Sequence, residues 1–141
     1  MKFYILILLL LGFVAPAFAG EPFDVRIVRP SDESLQIQRV TTARTAVGVV
    51  VHGRITAARP QYLPAGHVDI ATYRADGTLL VETTAMVRPH NLSRQAKRKG
   101  GVRFSAELLG VVPAGSTIKL AYHRVGAEQN GVAPTVHKSL L

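Results

Sequence analysis

The sequence predicts an all-β protein: a single immunoglobulin-like β-sandwich of about seven strands, with a small β-barrel as the alternative. Three observations point there. Helical periodicity is scarce after residue 20, and short β-rich runs alternate with turn signals instead. Asp76-Gly77 separates two such runs and gives a hairpin signal, because glycine accepts the positive φ of a tight turn. Arg-Pro dipeptides at 29–30, 59–60 and 88–89 punctuate the series, and proline cannot donate to a central ladder, so each is expected to close a strand.

The chain begins with Lys2, an apolar run from Phe3 to Val14, Pro16 and the small-x-small sequence Ala17-Phe18-Ala19. This pattern reads as a cleavable secretory signal peptide over residues 1–19, leaving a domain at 20–141 in the periplasm or outside the cell. Retention of the segment as an anchor is the alternative, although Phe3 to Ala19 is short of the roughly 20 apolar residues that span a bilayer. No transmembrane segment is expected in the mature chain. Its 122 residues suffice to bury a core without staples. With no cysteine in the sequence, disulfide scaffolds and thiol chemistry are excluded.

The elements follow in order. Phe23 to Val28 and Leu35 to Val40 alternate apolar with polar residues and read as strands. Val47, Val49, Val51 and Ile55 share one face of a longer strand, with His52 and Arg54 on the other. Gly53 within it signals a bulge or a close backbone approach. Val68, Ile70 and Thr72 form the inner face of the next strand, and Thr78 to Val87 returns from the hairpin with an irregularity near Met86. Val102, Phe104, Ala106 and Leu108 alternate inward, as do Ile118, Leu120 and Tyr122. Pro-Ala-Gly turns at 64–66 and 113–115 introduce two of these strands. Residues 135–141 are a short terminal strand or a loose tail. Tyr122 belongs to the core face, whereas Tyr73 is expected at the surface.

Val49-Val50-Val51-His52-Gly53-Arg54-Ile55, the run from Val68 to Leu80 with Tyr73 before Asp76-Gly77, and Phe104-Ser105-Ala106-Glu107-Leu108 together resemble bacterial FxLYD-type domains over residues 45–124. The chain departs from that pattern at Arg74, where the family usually has Asp, and in the basic insertion before Phe104. The resemblance implies an extracytoplasmic sandwich acting as an envelope interaction module. It brings no catalytic residues.

Charge marks the candidate site. Setting aside Lys2 leaves 16 basic against 9 acidic residues, a net charge of +7, which favours anionic partners. Arg94, Lys97, Arg98, Lys99 and Arg103 fall within ten positions, with Arg88 upstream and no acidic residue between Val87 and Ala106. These six are the candidate partner-binding residues, on a basic loop given freedom by Gly100-Gly101. An anionic protein, a lipid surface or an envelope polymer fits such a patch. Nucleic acid fits less well, because no aromatic residue interleaves the basic run.

Five histidines, His52, His67, His90, His123 and His137, form no local metal clip. Pairing of their strands would bring His52 and His123 together, and Met86 offers copper a thioether. No metal site or cofactor is assigned on this basis. Asp69 and Glu82 are placed across the hairpin as exposed acids paired with Arg74 or other basic neighbours. No G-x-S-x-G elbow, P-loop or dinucleotide fingerprint occurs, so no catalytic residue is assigned and a non-enzyme is expected. Asn91-Leu92-Ser93 matches a glycosylation acceptor, which matters only in a eukaryotic secretory pathway. The reading is an exported, non-catalytic binding module of the cell envelope. A copper- or zinc-binding envelope protein using surface histidines, and a structural subunit of an envelope assembly, are the alternatives.

Overall fold

The computed structural model describes residues 23–28, 34–127 and 131–133. Residues 1–19, read above as a signal peptide, Arg29-Pro30 and the terminal stretch 135–141 lie outside them.

Alternation of side chains builds the architecture. In order the elements are β1 (Asp24–Ile27), β2 (Leu35–Arg44), β3 (Gly48–Ala57), β4 (Gln61–Tyr62), β5 (Gly66–Tyr73), β6 (Leu79–Met86), β7 (Asn91–Leu92), α1 (Arg94–Arg98), β8 (Val102–Leu109) and β9 (Thr117–Arg124). Seven of the strands form two sheets, ordered β1-β9-β5-β6 and β2-β3-β8, and β4 pairs with β7 in a separate two-stranded piece. Both main sheets are open: β6 lies alongside β8 without a ladder between them. The barrel alternative is therefore set aside in favour of the sandwich. Among the described residues all pairings are antiparallel except β1 with β9, which run parallel side by side.

The sandwich closes on the predicted apolar faces. Val49, Val51 and Ile55 of β3, Val68 and Ile70 of β5, Phe104 and Leu108 of β8, and Ile118, Leu120 and Tyr122 of β9 share one buried cluster. Each full burial of such a side chain contributes about 1.5–3 kcal/mol. Val47 is not among them; it is 58% exposed, in the turn where Thr45 N–H donates to the Gly48 carbonyl. Gly53 marks a close approach: the Phe104 ring crosses the strand there, so that a Cβ would stand 2.3 Å from Cζ. A second, smaller cluster lies on the far side of the four-stranded sheet, where Ala71 and Ala121 pack with Val132, flanked by Val28, Tyr73 and Leu79.

Several expectations need correction. The second strand runs on to Arg44 through a bulge between Gln38 and Thr41, with Arg39 at φ 52°. The hairpin irregularity lies between Thr72 and Tyr73 rather than near Met86. The basic stretch is not a free loop. Ser93 Oγ accepts from Ala96 N–H and starts α1, so the serine of the glycosylation-like triplet is a helix N-cap. Gly100 N–H donates to the Lys97 carbonyl and Gly101 N–H to the Ala96 carbonyl. This Schellman closure needs a left-handed residue after the cap, and Gly100 supplies it at φ 85°. Gly101 is required for a different reason: a Cβ there would stand 2.2 Å from the Ile55 carbonyl oxygen.

Candidate functional site

The outward face of the three-stranded sheet carries a basic groove. Antiparallel register places Arg54 of β3 directly opposite Arg103 of β8, and His52 opposite Ser105. The β2 bulge adds Arg39 and Thr41, and residues just after β6 add Arg88. These side chains, with Gly53, Met86 and Phe104, line a cavity of about 520 Å³. A second cavity of about 460 Å³ shares Arg54, Arg88 and Arg103 and continues along Asn91, Ser93 and Lys99. The two form one trough with five cationic side chains, Arg39, Arg54, Arg88, Lys99 and Arg103, and no carboxylate in its lining.

Local bonds hold Arg54 in place. Arg54 Nη1 donates to the Lys99 carbonyl at 2.5 Å and to the Gly101 carbonyl at 3.2 Å, so its guanidinium is fixed at the C-terminal end of α1. Arg39 lies beside Gly100, its Nη1 2.8 Å from where a Cβ would be. Among the described residues, no carboxylate reaches ion-pair distance of any of these arginines. Like charges directly opposite on neighbouring strands repel, and an anion in the trough would relieve that.

Of the six residues singled out from the sequence, the trough gathers Arg88, Lys99 and Arg103. Arg94 and Arg98 are exposed on α1 outside its lining. Lys97 Nζ donates to the Ala58 carbonyl, tying α1 to the end of β3. Sequence proximity missed Arg39 and Arg54, which reach the trough through β-pairing. The signal for Arg54 was its place, with His52, on the outward face of an alternating strand.

The histidines are arranged differently from the expected pairing. His52 is exposed on β3, in the other sheet from His123. The true partners are His67 and His123, opposite each other across β5 and β9. Asp69, two residues along β5 on the same outward face, is fully buried rather than exposed. His67 Nε2 lies 3.0 Å from its Oδ1, and His123 Nδ1 lies 3.6 Å from its Oδ2. The two rings meet edge to face at 5.2 Å between centroids. Glu82 stands opposite Ala71, and Asp69 faces Thr84. Tyr73, expected at the surface, is partly covered: its hydroxyl donates to the Val132 carbonyl at 2.8 Å. His90 is exposed beside β7, and His137 lies outside the described residues.

Comparison with family models, with curated proteins and with solved structures finds no match to this chain.

Proposed function

We propose that this protein is an exported, non-catalytic binding module that takes a linear anionic partner, an acidic polymer or an extended acidic peptide, in the basic trough. The observation that carries the reading is the continuous run of five cations along two adjoining cavities with no carboxylate among the lining side chains. Two adjoining cavities with cations along both suit a chain bearing carboxylates or phosphates at intervals. A flat lipid surface would instead favour a convex or planar patch, and of the six sequence candidates Arg94, Lys97 and Arg98 stand outside the concavity. Arginine suits this role, because its planar fork binds carboxylate and phosphate bidentately. The signal-like residues 1–19 and the resemblance to FxLYD-type domains support an extracytoplasmic setting.

Binding of the purified protein to soluble polyglutamate and polyphosphate, alongside sedimentation with anionic liposomes, tests the reading. The trough predicts tight, salt-sensitive retention of the polymers and little of the protein on the liposomes. Retention on liposomes alone, or none on either polyanion at low salt, would reject it.

A further inference from the structure

We infer that His67, Asp69 and His123 form a binding site for a divalent first-row transition ion such as Zn²⁺, separate from the basic trough. The donor set is two imidazoles and one carboxylate, which suits zinc, copper and related ions. All three offer a ligand atom within 4.8 Å of one another. Ligands held at ~2.1 Å around a tetrahedral ion stand roughly 3.4 Å apart. His67 Nε2 stands 3.0 Å from Asp69 Oδ1 and His123 Nδ1 stands 3.6 Å from Oδ2, so each histidine lies near that spacing from a carboxylate oxygen.

Hydrogen bonding prepares one ligand. His123 Nε2 lies 3.3 Å from the Ala127 carbonyl oxygen. A carbonyl only accepts, so Nε2 donates there and Nδ1 is the nitrogen left facing Asp69. Such an outer bond from the second ring nitrogen is how metal-bound histidines are oriented.

Burial strengthens the case. Asp69 is fully buried on the outward face of the sheet, with a histidine nitrogen near each of its carboxylate oxygens. Both flanking groups are histidines, and the His67 side chain, 19% exposed, leaves a path from solvent.

Titration of the purified protein with Co²⁺, followed by visible d–d absorption and competed with Zn²⁺, tests the site. The expected result is one Co²⁺ per chain, displaced by Zn²⁺, with affinity reduced about tenfold or more in Asp69→Asn and in His123→Gln. His52→Gln, His90→Gln and the trough variant Arg88→Gln/Arg103→Gln should bind as the parent does. Far-UV circular dichroism checks each fold. If Asp69→Asn does not fold, the partly exposed His67→Gln takes its place with the same expected loss. Absence of the absorption bands at saturating Co²⁺ would overturn the site. Bands that survive in His123→Gln, or that are lost equally in His52→Gln, would overturn it as well.

Discussion

At the scale of single residues, conformation and burial fix roles that residue type alone does not. Arg39 occupies left-handed backbone at φ 52° on the rim of the trough. That conformation costs a non-glycine residue about 1–2 kcal/mol, and it places a cation where the regular strand would not. Arg39→Gly should therefore keep or slightly raise the melting temperature while lowering polyanion affinity, read by thermal unfolding and by binding on the same sample. Gly53 has the opposite character: Gly53→Ala drives a Cβ into the buried Phe104 ring and should cost about 1–3 kcal/mol in chemical unfolding. Tyr122 donates its hydroxyl to the Pro64 carbonyl, and burial pushes its phenol up, opposed by the Arg124 charge. A raised folded-state pKa stabilises below the unfolded value near 10, and that contribution is lost as pH rises through it. Melting temperature should fall above about pH 10, and Tyr122→Phe should flatten part of that fall. The Tyr122 core role was readable from alternation. The His67–Asp69–His123 cluster was only half readable: the i, i+2 spacing puts His67 and Asp69 on one face, but nothing local discloses that β9 lies beside β5 and supplies His123.

At the scale of elements, period-two patterning identified the long strands because each buries one face against the other sheet. It could not show β4 and β7, two residues each between prolines and turns. Nor could it show α1, whose five residues are too few for a helical period and none of which is buried. The chemistry of its ends was nevertheless written in the chain, as Ser93 before it and Gly100-Gly101 after it. A helix this short depends on its caps. Ser93→Ala should destabilise the protein by about 1 kcal/mol. It should also loosen the Lys99 and Gly101 carbonyls that hold Arg54, so hydrogen exchange around residues 94–101 should quicken while the β3 and β8 amides stay protected.

At the scale of the molecule, the sandwich separates two chemistries. The three-stranded sheet turns a row of cations outward into a trough. The four-stranded sheet holds a buried acid between two histidines on its outward face. Seven strands in two sheets were legible as a count, because turn signals recur at regular spacing. The strand order was not, since it depends on long-range pairings such as the parallel β1–β9 contact. Basic character was legible as net charge, but the trough was not, because Arg39 and Arg54 join Arg88 and Arg103 only once β2, β3 and β8 are side by side. The trough, rather than net charge, is the claim to test, and two variants of equal charge separate them. The measurement is the salt concentration that elutes Arg88→Gln/Arg103→Gln and Arg94→Gln/Arg98→Gln from immobilised polyglutamate. A trough predicts that the first pair loses affinity about tenfold or more, at roughly 1.5–3 kcal/mol for each charge-assisted bond removed, while the second elutes close to the parent. Equal shifts for the two variants would contradict it and leave only diffuse positive charge.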